Sequence, residues 1–270
     1  MVQSNPKLRL PTSDELPDSD ETPVDNENQN FLPNFLLFLL ELIWGNRQDW
    51  FFGVDLGIYH NTGENPRIPA VPDGFLSLGV ERRKGGGSRK SYVVWEENEI
   101  VPILALEVVS WTYGNEYEAK MQIYAQLGVL YYIIYNPDFW KRDKHQPLEV
   151  YRLVDGVYRR RVGEPLWMPE VGLGIGRCEL LVGGISREVL CWYDEQGNRY
   201  LTAEERALEA EERALEAEEK ASEAEEKASE AEEKANRVQQ ELDRERQRYQ
   251  ELIELLRSRG IDPEPPIDKN

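Results

Sequence analysis

The stretch Val101-Pro-Ile-Leu-Ala-Leu-Glu-Val-Val-Ser110 decides the fold. It is aliphatic and β-branched with one charge, Glu107, and it lacks the polar alternation of a strand with one wet face. Such a run reads as a central strand covered on both sides. After it, Asn115–Leu127 has the character of a helix, with Gly128 at its C-terminal side. Leu130–Tyr135 (LYYIIY) is a second buried strand that stops at Asn136-Pro137. Strand, helix and strand within about 35 residues is the length of a crossover between parallel neighbours.

Working outward, Gly74–Val80 and Trp50–Tyr59 read as strands separated by a loop through Asn61–Pro69. A helix from about Pro33 to Trp44 precedes them, with Pro at its start and Gly45 as its stop. Arg82–Lys90, with its three glycines, reads as a flexible loop. Downstream, Leu148–Leu153 and Gly156–Arg161 resemble a hairpin around Asp155-Gly156. The remainder to Trp192 reads as short strands and turns. The expected fold class is therefore α/β (α+β), with a central mixed sheet flanked by helices. The domain spans residues 31–197, enough chain for a proper core.

The flanks differ in kind. Residues 1–30 are acidic and poor in large apolar side chains, so they are expected to be disordered. Residues 198–259 form one long charged helix. Apolar residues recur with alternating spacings of three and four from Ala203 through Ala235 to Val238 and Leu242, and again at Tyr249, Leu252 and Leu256. With Ala207 at an a position, Glu211, Glu218, Glu225 and Glu232 fall at e, and Arg213, Lys220, Lys227 and Lys234 at g. That pattern favours a parallel homo-oligomeric coiled coil. Alanine knobs bury little area, however, so a lone solvated helix stays open as the alternative. Gly260 ends the helix, and a Pro-rich tail covers 260–270.

The formal net charge is −19. Counted as Lys+Arg against Asp+Glu, residues 1–30 carry −5, 201–259 carry −8, and 31–200 only −4. The acidic total argues against passive attraction of nucleic acid by the whole protein, but the near-balanced middle leaves room for an anionic substrate. Two cysteines, Cys178 and Cys191, are too few for a disulfide framework and are expected as buried thiols in a reducing, cytoplasmic setting. The apolar run Phe31–Trp44 is too short to span a bilayer, so no membrane partner is expected. His60 and His145 have no metal-ligand spacing, no G-x-S-x-G elbow is present, and Gly172-Leu-Gly-Ile-Gly176 lacks the strand and helix of a phosphate loop.

Chemistry concentrates in the middle domain. Pro72-Asp73 opens one strand, Glu107 lies inside an apolar one where an unpaired carboxylate is costly, and Lys120 lies on the helix that follows. Two carboxylates on adjacent strands can hold Mg²⁺, and a nearby ammonium can orient or deprotonate an attacking water. Each residue has a plainer role as well: Asp73 in a Pro-Asp-Gly turn, Glu107 in a structural ion pair, Lys120 on an exposed helix face shared with Glu116 and Glu118.

This set resembles the PD-(D/E)XK nuclease superfamily, and more closely its Uma-type, restriction-endonuclease-like branch, over about residues 31–195. The resemblance rests on Val71-Pro72-Asp73, on Ala105-Leu-Glu-Val-Val-Ser110, on Lys120 with Tyr124, and on Tyr124-Ala-Gln-Leu-Gly-Val129 running into Tyr131–Pro137. The superfamily pattern puts its Lys two residues after the acid, where this chain has Val109; the Uma-type branch commonly places it on the following helix, as Lys120 is here. The resemblance implies a restriction-endonuclease-like sheet and DNA phosphodiester hydrolysis with Mg²⁺ or Mn²⁺. It makes Asp73, Glu107 and the Val108 carbonyl metal ligands and Lys120 the catalytic lysine. Tyr124 and Glu41, on the first helix, are candidate accessory residues, and Arg82, Arg83, Lys84, Arg89 and Lys90 candidate DNA contacts. The rival expectation is an inactive nuclease-fold scaffold or adaptor that works through the tail.

Overall fold

A computed structural model describes residues 9–17, 26–63, 65–111, 115–182 and 184–261. In chain order these form α1 (Glu27–Ile43), β1 (Trp50–Val54), β2 (Ile58–Tyr59), β3 (Gly74–Leu78), β4 (Tyr92–Val93), β5 (Leu104–Val108), α2 (Ala119–Leu127), β6 (Tyr131–Tyr135) and α3 (Trp140–Asp143). There follow β7 (Leu148–Val154), β8 (Val157–Arg161), β9 (Leu166–Met168), β10 (Leu173–Val182), β11 (Ile185–Tyr193) and α4 (Ala203–Ser258). The chain divides into two units, Met1–Ala203 and Glu204–Asn270.

The central sheet has the order β1-β3-β5-β6-β7-β8. Only β5 and β6 run parallel in it, joined through α2, and the other neighbours are antiparallel. Every residue of β5 and of β6 is buried, as the two apolar runs require. The two-residue period sorts β5 cleanly. Leu104, Leu106 and Val108 pack with α1 and with the second sheet, whose order is β11-β10-β9, while Ala105 and Val109 pack with Tyr124 and Leu127 of α2. Glu107 shares the α2 side. The second sheet is pinned to α1 by the buried Trp192 indole, which donates to the Leu36 carbonyl at 3.0 Å.

Several expectations need correction. Helix α1 begins at Glu27, not Pro33, because the Asn26 side chain caps it by accepting from Gln29 N–H at 3.1 Å. Residues 9–17, within the stretch expected to be disordered, carry a short 3₁₀ turn at Ser13–Glu15. Trp95 donates to the Pro11 carbonyl and Tyr59 to that of Pro17. The rest of residues 1–25 lies outside the described residues. The segment Trp50–Tyr59 splits into β1 and β2, with Asp55 at φ 47° between them. The region expected to hold short strands carries instead the ten-residue β10 and nine-residue β11, paired along their whole length. Cys178 and Cys191 lie on these two strands and form a disulfide with Cα atoms 6.4 Å apart, in place of the expected thiols. The hairpin at Asp155-Gly156 forms as read, with both residues at positive φ.

The described residues of the second unit belong almost wholly to one 56-residue helix, α4. Glu209–Arg213, Glu216–Lys220 and Glu223–Lys227 pair at i,i+4, as does Glu233–Arg237. No helix among the described residues is long and apolar enough to cross a membrane.

Candidate active site

The carboxyl ends of the parallel pair β5–β6 and the start of β3 meet at one end of the sheet, because β3 runs antiparallel to β5 with Gly74 opposite Leu106. The site is built there. Glu107 is 1% exposed and turned toward α2. Lys120 and Tyr124 stand one helical turn apart, so one face of α2 presents both. Lys120 Nζ donates to Glu107 Oε2 at 2.8 Å, and the Tyr124 hydroxyl donates to Oε1 at 2.6 Å. Asp73, just before β3, accepts from the Val108 N–H through Oδ2 at 2.6 Å. Its own carbonyl is fixed by the Asp55 N–H at 3.1 Å. Three residues chosen from sequence, Asp73, Glu107 and Lys120, therefore share one site, and Tyr124 joins them.

The electrostatics follow from that convergence. Burial, and after it the charge of Glu107, hold the Asp73 carboxyl well above the usual carboxylate range, against the pull of the Val108 N–H and Lys120. Burial also raises Glu107, with Lys120 and Tyr124 opposing it in part. For Lys120, burial disfavours the charged form, yet Glu107 and then Asp73 outweigh it and keep the ammonium above its ordinary value. Tyr124 is pushed well up by burial and by Glu107, so it stays a donor.

Two residues join that sequence reasoning missed. Glu116, expected with Glu118 on a solvated helix side, is buried at 3% exposure, and its charge acts on Asp73, Glu107 and Lys120. Its place four residues before Lys120 was the available signal. Gln29 of α1 donates to the Val108 carbonyl at 3.3 Å. Nothing in its polar surroundings marks it.

Other candidates lie elsewhere. Glu41, near the C-terminal end of α1, pairs with Arg82, whose guanidinium stacks 3.8 Å over the Trp50 ring at the opposite end of the sheet from Asp73. It does not join the site. Of the basic loop, Lys84 pairs with Glu96 and Glu97, Arg89 with Glu97, and Lys90 with Asp14. Arg83 has no ion-pair partner among the described residues. Among those residues, too, no cluster of three or more His, Cys, Asp or Glu forms that could hold a metal ion.

A mixed α/β sheet with one central parallel pair, flanked by helices, is consistent with a nuclease-type protein of PD-(D/E)XK-like build. The chain belongs to the Uma2 family, described as "Putative restriction endonuclease", whose family model matches residues 19–182. That span runs from before α1 to the end of β10 and leaves out α4. No curated protein and no solved structure matches the chain.

Proposed function

We propose that the protein is a metal-dependent endonuclease that hydrolyses DNA phosphodiester bonds, with Asp73, Glu107 and the Val108 carbonyl holding Mg²⁺ or Mn²⁺. The observation that carries this reading is the convergence of two mutually repelling carboxylates and a charged lysine at one sheet end. The donor set fits such an ion. It is all oxygen, as hard cations require, and a divalent charge would offset the burial and, after it, the Glu107 repulsion that raise Asp73. Two carboxylates leave the remaining positions to water and substrate, which is the habit of Mg²⁺. The Val108 carbonyl, though it accepts from Gln29, keeps a second lone pair.

Bound there, the cation would supply Lewis-acid polarisation and a more acidic water. The residues themselves orient and stabilise. Lys120, held charged by Glu107, donates to the attacking water and offsets negative charge building on the phosphoryl oxygens. Its raised affinity for the proton makes it a poor base at neutral pH. Tyr124 fixes the rotamer of Glu107. Plasmid cleavage in Mg²⁺ or Mn²⁺ tests the reading: wild type cuts, EDTA stops it, and Glu107→Ala does not cut. Equal cutting by Glu107→Ala would trace the activity to a contaminant and sink the proposal.

The tail is proposed to pair two copies in parallel, which would give each assembly two sites. Val238, Leu242, Tyr249 and Leu252 form the exposed stripe with the largest knobs. Sedimentation of residues 1–203 against the full chain tests this: the full chain should run as an oligomer and the truncation as a monomer. Two monomers would leave α4 a lone rod. One finding favours the scaffold alternative, the internal neutralisation of most of the basic loop in a chain of net charge −19. Oligomerisation without cleavage would select it.

A further inference from the structure

We propose that Trp111 is a stacking platform for an unpaired base beside the scissile phosphate, so that the substrate class is single-stranded or locally unpaired nucleic acid. This rests on the phosphodiesterase reading of the adjoining site and narrows it.

Trp111 is the bulkiest exposed residue at the carboxyl end of β5, with 76% of its surface open to solvent. It follows Glu107 by four residues, at most about 14 Å along an extended chain. That separation is on the scale of a few nucleotide steps of about 3.4 Å each. The ring is exposed but not loose. Its edge meets Phe139 with centroids 5.6 Å apart and planes at 84°. Arg142 donates to the Trp111 carbonyl at 3.1 Å while its guanidinium lies 4.4 Å over the Phe139 ring. The loop carrying Phe139 is itself tied down, since Asn136 accepts from the Phe139 N–H at 2.9 Å and Asn28 donates to Asp138 at 3.2 Å.

The indole is thus held in place with an open face, which lowers the ordering cost of binding a flat partner. Lys141 and Lys144, both exposed and without an ion-pair partner among the described residues, follow Phe139 on the same segment, with the Lys141 ammonium 5.0 Å from the Trp140 ring centroid. Asp143 is occupied by Arg142. An aromatic face with adjacent ammonium groups suits a base and its backbone phosphate, because stacking tolerates any sequence and the charges track the strand. A base inside a duplex cannot present its face in this way, so the platform selects unpaired nucleotides.

The test is fluorescence anisotropy of the full-length protein in EDTA, with a labelled single-stranded oligodeoxynucleotide and with the same sequence as a blunt duplex. Trp111→Ala should weaken single-strand binding by about tenfold and leave duplex binding unchanged, and Trp111→Phe should retain most of the affinity. An unchanged melting temperature is expected for both variants, since the ring is exposed. No loss in Trp111→Ala, an equal loss on both probes, or no binding of either probe by wild type overturns the proposal. The outcome is separable from catalysis. Trp111-dependent binding by a protein that never cuts removes the nuclease reading and keeps the platform, whereas cutting without a Trp111 effect does the reverse.

Discussion

Replacing Lys120 with Met keeps most of the stem but removes the charge 2.8 Å from Glu107 Oε2. Breaking a buried ion pair from one side costs about 3–5 kcal/mol, because the other charge stays behind. Here the Lys120 side chain is 31% exposed and that of Glu107 only 1%, so a value of about 2–4 kcal/mol is expected where Glu107 remains ionised. Glu107 has an escape, which is to take up a proton. Lys120 is the largest influence opposing its burial, so removal of Lys120 drives the Glu107 pKa further up. A carboxyl with a raised folded-state pKa loses stability as pH climbs through that value, at about 1.4 kcal/mol per pH unit. The cost of Lys120→Met should therefore be larger at about pH 8 than at about pH 5, since proton uptake by Glu107 relieves it as pH falls. In thermal denaturation in EDTA, the loss at the higher pH corresponds to roughly 5–10 °C in Tm for a domain of this size. Adding Glu107→Gln to Lys120→Met should recover most of it. A loss equal at both pH values, or larger at the acid one, would refute this account of the pair.

Gly53→Ala tests the sheet beneath the site. A Cβ at this position in β1 would lie 2.3 Å from a ring carbon of the fully buried Phe75, so overpacking should cost about 1–3 kcal/mol by urea denaturation. An unaffected midpoint would mean that Phe75 has room to move. Glu170 tests an exposed network: hydrogen bonds from Tyr131 and then Arg152 lower its pKa to about 2. A depressed carboxylate contributes stability above its unfolded value near 4.5 and loses it as pH falls toward 2. The stability advantage of wild type over Glu170→Gln should shrink across that acid window. A constant difference there counts against the network.

The crossover was legible because burial on both faces leaves an unmistakable composition. Glu107 stood out as the one charge in it, Lys120 was read from its place on the next helix, and Tyr124 came only with the family resemblance. What escaped depends on partners far away in the chain. The Asn26 cap and Gln29 sit in a polar stretch whose composition alone reads as unstructured. The ion pairs that occupy the basic loop draw on Asp14, Glu41, Glu96 and Glu97 from three separate segments. The long strands β10 and β11 were masked by Gly174, Gly176 and charged residues on exposed positions. Gly176 is there for closeness, since a Cβ would stand 3.0 Å from Pro165. Two cysteines thirteen residues apart read as thiols until the strands that carry them are paired.

The near-identical segments from Ala207 to Lys234 give α4 a property that the folded domain lacks. Each seven-residue copy advances the helix by about 10.5 Å and falls about 20° short of two full turns, so the stripe drifts slowly round a straight helix. Gain or loss of one copy therefore changes the length of the helix while rotating what lies beyond it by only about 20°. The length of α4 ahead of the Val238–Leu256 stretch can change in whole heptads, like marks on a ruler, with the apolar stripe nearly in line on either side.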